Sequence, residues 1–400
     1  MEKKASTALI HHPYRPPEGF DSPQPGIFKA SSVFFPNVAA MRSREWKDKT
    51  AYTYGLHGTP SSYTLEERLC TLEGGLQCVL APSGLAALAL VSLSMLRSGD
   101  EVLLPDNVYE PNKSLVEAEL KHWGITHQFY DPMDLADLES KLSDKTRLVW
   151  LEAAGSVTLE FPDLPALVRL CTAKGICTAL DNTWGAGIAF NPFDLLPGVV
   201  PALGVDISTQ ALTKYPSGGG DVLMGSVITR DPALHMRIKL THMRLGLNVG
   251  SNDVELVLRA LPSIYLRYRA HDTSTRAVAA WCQAQPEFVQ VLHPALPSSP
   301  GHAHWRSLCT DAAACLFSVV LDARFSQAQV YAFVDALRLF RLAYSWAGPI
   351  SLVVPYDLAR SRGRWPAQVA RGAVVRFAVG LEDPQDLQAD IAQALALLRT

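Results

Sequence analysis

The sequence predicts an α/β fold with a mainly parallel sheet, followed by a smaller α+β unit. Three observations carry that expectation. Between residues 63 and 229, apolar runs of strand length alternate with helical stretches, the pattern of βα units. After about residue 256 the texture changes to one long helical stretch and then a mixture of strands and helices. The chain has 400 residues, 48% hydrophobic and 19% charged, which is enough for a sizeable core spread over two or three domains.

Residues 1–60 are rich in proline and polar side chains and lack sustained periodicity, as expected of an extended arm. "YTLEERLCTLEGG" (63–75) predicts a helix with Thr64 as its cap and Gly74–Gly75 as its stop. The uncharged run 78–96, "CVLAPSGLAALALVSLSML", approaches the ~20 residues a membrane span needs. Pro82, Ser83 and Gly84 cut it early, so it reads as a buried strand end, a turn and a buried helix. "EVLLPD" (101–106) precedes a helix near "EPNKSLVEAELKHWG", and "RLVWLE" (147–152) precedes one near "DLPALVRLCTAKG". "ICTALD" (176–181), "VDIST" (205–209) and "VLMGSVIT" (222–229) follow as strands, with right-handed crossovers expected between parallel neighbours. Beyond them come the helical "LPSIYLRYRAHDTSTRAVAAWCQA", strands in "ACLFSVVL" (314–321) and "AVVRFAVG" (373–380), and a final helix in "DLQADIAQALALLRT". The expected division is an arm over 1–60, a large domain over 61–256 and a C-terminal domain over 257–400.

Several classes of function fall away. The net charge is −3 and no long basic run occurs, so neither nucleic acid nor an anionic membrane is an expected partner. The seven cysteines are scattered without a C-x-x-C pair, which speaks for buried thiols in a reducing compartment and against a zinc site or other metal. "MEKKASTALIHHPYRPP" lacks the apolar segment of a signal peptide, and a cytoplasmic protein is expected. Neither G-x-x-x-x-G-K-[ST] nor G-x-G-x-x-G is present.

The candidates for chemistry sit where strand ends meet loops. In "TQALTKYPSGGGD" (209–221), Lys214 ends an apolar run beside Thr213 and ahead of a proline and three glycines. Asp181 closes "ICTALD", where an aspartate serves equally to cap a turn or to aim a carboxylate into a crevice. "PSGLAAL" (82–88) opens a helix whose free N–H groups at Gly84 and Leu85 suit a phosphate, although such turns are common. Tyr109 lies on a strand-to-helix loop, a place where tyrosines more often pack than act. Arg376 stands inside the apolar "VVRFAV", a costly position without a buried partner or an anionic ligand. A lysine, a carboxylate, a phosphate cradle, an aromatic face and an anion-binding arginine together are what a pyridoxal 5'-phosphate site calls for.

The ordered series "YGLHGTP" (54–60), "LEGG" (72–75), "PSG", "VYEP" (108–111), "LEAAGS" (151–156), "DNTWGAG" (181–187), "DISTQALTKY" (206–215), "HPALPSSPGH" (293–302), "LAYSWAG" (342–348) and "GLED" (380–383) resembles the cysteine and methionine metabolism family of pyridoxal-phosphate enzymes over nearly the whole chain. "Q-A-x-T-K" and "YSW" lean towards its cystathionine β-lyase branch, and Ala211 stands where the γ-lyase branch usually has serine. The resemblance implies the aspartate aminotransferase type of fold (fold type I), with a seven-stranded, mainly parallel sheet, assembled as a homotetramer. It implies Lys214 as the Schiff-base lysine and later acid–base group, and Asp181 as partner of the pyridinium nitrogen. Tyr109 stacks on the ring, while Thr213 and the Gly84 and Leu85 amides bind phosphate. Arg376 takes the substrate carboxylate, with Ser345 and Trp346 nearby, and Tyr54 reaches a neighbouring subunit's phosphate. The expected reaction is β-elimination from a sulfur amino acid such as cystathionine. γ-Lyases, γ-synthases and a broader cysteine-S-conjugate β-lyase are the alternatives. One departure stands out: family members often read tyrosine, any residue, arginine at the arm motif, whereas this chain has Tyr54, Gly55, Leu56 and then His57.

Overall fold

In the computed structural model, residues 4, 7, 10, 18–19, 21–43, 49–309 and 311–399 are described. The leader segment considered above lies largely outside them. Within the arm, α1 (Val38–Arg42) buries none of its residues, and an isolated bridge ties Ser32 to Tyr54. The following helix, α2 (Pro60–Glu73), starts earlier than expected and corrects the cap from Thr64 to Thr59. Pro60 occupies a first-turn position where its missing N–H costs nothing, and Thr59 and Ser62 exchange capping hydrogen bonds. Thr64 instead donates to the Pro60 carbonyl at 2.7 Å. Gly74 ends the helix at φ 75°, the left-handed position that favours glycine.

Among the described residues, seven strands form the first sheet: β1 (Gln77–Ala81), β2 (Glu101–Pro105), β3 (Thr126–Tyr130), β4 (Thr146–Glu152), β5 (Cys177–Asp181), β6 (Ile207–Ala211) and β7 (Gly225–Thr229). Their order is β1-β7-β6-β5-β4-β2-β3, and β7 alone runs against its neighbours. The expected strand over 222–229 is thus shorter and antiparallel. β3 escaped the sequence reading because "THQFY" is polar and only partly buried along most of its length.

Alternation along each strand sorts the apolar side chains to two faces. Val79, Val102, Leu104, Leu148 and Trp150 pack with Leu88 and Leu90 of α3 (Gly84–Met95). Leu80, Leu103, Val149, Leu151 and Leu180 pack with Leu65 and Leu69 of α2 on the other. With both faces covered, the strands read as nearly continuous apolar runs. Burying each such side chain is worth about 1.5–3 kcal/mol relative to leaving it exposed. Strand order reverses between β2, which leads outward to β3, and β4, which leads to β5 and β6. The crevice above their C-terminal ends is where an open α/β sheet binds ligands.

Helices α4 (Glu110–Leu115), α5 (Leu135–Lys141) and α6 (Leu164–Ala173) connect these strands, and α7 (Pro232–Leu245), α8 (Ser251–Ala260) and α9 (Ile264–Cys282) lead away from them. The second sheet has the order β10-β11-β12-β9-β8, from β8 (Phe288–Leu292), β9 (Leu316–Leu321), β10 (Arg341–Leu342), β11 (Leu352–Tyr356) and β12 (Val374–Ala378). Its core joins Phe317 and Phe377 to Val278 of α9 and to Phe333 and Leu387. Here α10 is His302–Leu308, α11 is Gln327–Asp335, α12 is Leu358–Ser361 and α13 is Pro384–Leu395. All seven cysteines are unpaired thiols. Among the described residues, no helix is long and apolar enough to cross a membrane.

Candidate active site

A cavity of about 920 Å³ opens at the strand-order reversal. The C-terminal ends of the strands bring Gly84 and Leu85 (after β1), Tyr109 (after β2), Asp181 (β5) and Thr213 and Lys214 (after β6) to its wall. From the second sheet come Ser345, Trp346 and Arg376. Nine of the ten residues singled out from the sequence therefore meet in one place. Tyr54 does not line the cavity and remains 48% exposed on the arm, edge-on to His57.

Lys214 sits on the turn that leaves β6. Its Nζ donates to Ser345 Oγ at 2.6 Å and lies 5.5 Å from the Trp346 ring centre. Burial, and then the Arg376 guanidinium, push its amine down to about 8, so a larger fraction is neutral near physiological pH than for an exposed lysine. Ser345 is held at φ 86° and Ala347 at φ 63°, both left-handed and unfavourable for residues with a Cβ. Such strain is retained where the surroundings fix the geometry, here the loop that meets Lys214.

Asp181 is fixed from its own turn: Thr183 donates to Oδ1 through its N–H at 3.0 Å and its hydroxyl at 2.5 Å. The Thr183 oxygen in turn accepts the Ala211 N–H at 2.9 Å, locking β5 to the end of β6. Burial raises the Asp181 carboxyl; the Thr183 bonds and the Lys214 charge oppose it. An acid so placed is ready to hold a cationic partner.

The start of α3 shows why glycine is required at 84. A Cβ there would lie 2.6 Å from the Ala211 Cβ, so only glycine lets the helix terminus reach β6. Ser83 caps the helix through the Ala86 N–H at 3.0 Å, leaving the Gly84 and Leu85 donors at the cavity. Arg376, 9% exposed, reaches the Ser345 carbonyl at 3.3 Å, while its buried Nε has no partner among the described residues. A guanidinium with an unmet buried donor at a cavity wall suits an anionic ligand.

The sequence reading missed two parts of this site. Glu152, the last residue of β4, is 7% exposed and stands beside Asp181 in the sheet register. It accepts the Tyr109 N–H at 2.8 Å and the Ser156 hydroxyl at 2.7 Å, so it holds the loop that carries the aromatic face. Its signal was present in "LEAAGS", but a glutamate after an apolar strand is indistinguishable from a turn cap. The other part is Arg362, beyond α12, which bridges Asp106 at 3.0 Å and Glu160 at 3.1 Å. Lys113 joins at 3.0 Å from Asp106. This buried cluster fastens the β11–β12 connection over the outer cavity wall; its members lie far apart in sequence and nothing local marks them.

Asp181, Lys214, the helix-terminal donors with Thr213, and the unmet Arg376 together fit pyridoxal phosphate bearing an amino acid: a ring nitrogen, a carbonyl, a phosphate and a substrate carboxylate. A family model described as Cys/Met metabolism PLP-dependent enzyme matches residues 6–396. The chain is 37% identical to the cystathionine beta-lyase of Bordetella avium, covering 98% of each. It is 33% identical to the L-alanine/L-glutamate racemase of Wolbachia pipientis wMel, over 94% of this chain and 93% of that one. The solved structure of cystathionine gamma synthase from Xanthomonas oryzae pv. oryzae in complex with cystathionine superposes with a TM-score of 0.84 at 27% identity, covering 100% of this chain and 99% of that one. With the α/β sheet, the cavity at its reversal and this match over nearly all its length, the chain belongs to the family of pyridoxal-phosphate-dependent enzymes of cysteine and methionine metabolism.

Proposed function

We propose that this enzyme is a cystathionine β-lyase, converting L-cystathionine and water to homocysteine, pyruvate and ammonia. The observation that carries the reading is the convergence of an amine of lowered pKa, Lys214, with Asp181 and the unmet Arg376 donor on one cavity. Pyridoxal phosphate, when bound, supplies a carbonyl that condenses with amines and a ring that withdraws electrons from the substrate Cα. Lys214 would hold that carbonyl and, as a free amine, would take the proton from the substrate Cα. Asp181 would hold a protonated ring nitrogen. Arg376 clamps the substrate α-carboxylate and so fixes which bond at Cα is broken. Tyr109 would cover the ring, and Gly84, Leu85 and Thr213 would hold the phosphate. Ser345 and Trp346 shape the wall against which the substrate lies.

The higher identity to the cystathionine beta-lyase of Bordetella avium, 37% against 33% for the racemase, favours the lyase reading. We further infer a cytoplasmic homotetramer, a dimer of dimers whose sites are shared. In it the 1–60 arm delivers Tyr54 to a neighbour's phosphate, the 61–256 domain holds the cofactor and the 257–400 domain supplies Arg376. The position of Tyr54 outside its own chain's cavity supports that sharing. One assay tests the activity: incubation with L-cystathionine should release pyruvate. Release of 2-oxobutyrate instead would make the enzyme a γ-lyase. Formation of D-alanine from L-alanine without pyruvate from cystathionine would favour the racemase.

A further inference from the structure

Glu152 and Ser156 have no part in the scheme above, yet both line the cavity. Their hydrogen bonds allow a simple accounting. Glu152 Oε2 accepts the Tyr109 backbone N–H at 2.8 Å, a donor that cannot reverse. Oε1 faces the Ser156 oxygen at 2.7 Å, and a hydroxyl can act there as donor or acceptor. The loop between them is pinned, because Ser156 N–H donates to the Asn107 carbonyl at 2.8 Å and Gly155 N–H to the Glu160 carbonyl at 3.0 Å. A side-chain proton on Glu152 therefore has one good place, on Oε1 pointing at Ser156. The Ser156 hydroxyl then has to donate elsewhere, and the open side is the cavity.

We propose that Glu152 and Ser156 form a proton-controlled hydrogen-bond donor to the bound cofactor: protonated Glu152 turns the Ser156 hydroxyl into the cavity, and ionised Glu152 takes it back. Both are positioning residues. Their surroundings favour the protonated form near neutrality. Asp181 on β5 is the like-charged neighbour; Tyr109 at the start of α4 and Tyr130 on β3 are the other titratable groups close by. The cations Lys214, after β6, and Arg376, on β12, line the same cavity. Between the two carboxyls, Asp181 has the Lys214 charge to stabilise its anion, whereas Glu152 has only neutral donors. Burial and the adjacent Asp181 accordingly hold the Glu152 carboxyl well above the usual carboxylate range.

The inference rests on the reading that pyridoxal phosphate occupies this cavity. Its test is cofactor affinity by equilibrium dialysis of the holoenzyme at mildly acidic and mildly alkaline pH, for the parent, Glu152→Gln and Ser156→Ala. Glutamine accepts from Tyr109 and donates to Ser156, so it reproduces protonated Glu152 at every pH. Titration of Lys214 or of the cofactor itself contributes alike to the parent and to Ser156→Ala, which both keep Glu152. Relative to Glu152→Gln, the parent should lose about 3- to 10-fold in affinity on going alkaline, the worth of one hydrogen bond. Ser156→Ala should bind weakly at both pH values and, like Glu152→Gln, lack the extra step. It keeps the proposal testable should the buried variant fold poorly. An identical pH step in Ser156→Ala and the parent would overturn the proposal. Failure of the parent to bind the cofactor at any pH would overturn the functional reading and this inference together.

Discussion

The Lys214 amine and the Ser345 hydroxyl are 2.6 Å apart, and the serine is held at φ 86° to keep them there. The contact joins the two sheets across the cavity, because Lys214 leaves β6 of the first and Ser345 precedes β11 of the second. Removing the hydroxyl frees the amine to adopt other rotamers. Ser345→Ala is expected to lower kcat/KM by about 10-fold, some 1.4 kcal/mol of transition-state stabilisation, with little change in melting temperature. Steady-state kinetics on cystathionine check this, and unchanged kcat/KM would remove Ser345 from the account.

Arg376 offers a planar fork with an unmet Nε, a geometry lysine cannot reproduce. Arg376→Lys should raise KM for amino-acid substrates by at least about 10-fold. Equal kinetics in parent and variant would mean that another group holds the carboxylate.

The arm carries a cost for phosphate binding. With Leu56 in place of an arginine and Ala211 in place of a serine, the phosphate in the proposed enzyme would rely on the α3 terminus, Thr213 and, in the proposed tetramer, a neighbour's Tyr54. Tyr54→Phe is expected to lose cofactor on dialysis, and adding Leu56→Arg should restore retention. The visible absorption of the dialysed protein reports both. Full retention by Tyr54→Phe would show that the arm is no phosphate ligand.

Much of the site was legible because its residues stand at the ends of strands whose apolar runs announce them. Asp181 and Lys214 close "ICTALD" and follow "VDIST", and Arg376 interrupts "VVRFAV". The pieces that stayed hidden are of two kinds. Thr59, β3 and β11 were obscured locally: the capping pair begins before the apolar run, "THQFY" is polar, and "LVVPY" contains a proline. Glu152 and the Arg362–Asp106–Glu160 cluster were obscured globally, since their meaning depends on neighbours brought together by folding. Tyr54 was named from the sequence, and its expected partner lies beyond a single chain.

Stability should depend on pH from both sides. Burial pushes the Glu73 carboxyl up to about 7 from 4.5, so its contribution is full below 4.5 and lost as pH rises through 7. Burial pushes His235 and His242 down to about 4 from 6.5; their contribution is full above 6.5 and lost as pH falls through 4. Glu73 accepts from Asn182 at 3.1 Å and from Ser208, and a glutamine there removes the group that must ionise. The melting temperature of Glu73→Gln should therefore fall less than the parent's between about pH 5 and pH 8. Parallel curves would contradict the buried, protonated state assigned to Glu73.

In the proposed enzyme Lys214 is the residue that carries the cofactor, and chemistry can read that directly. Borohydride reduction makes a lysine–pyridoxal bond permanent, so digestion and mass spectrometry locate it. The expected result is a phosphopyridoxyl mass on the peptide containing Lys214, and its absence from the same peptide of Lys214→Ala. The label on another lysine, such as the buried Lys113 or Lys239, or on none, would contradict the account.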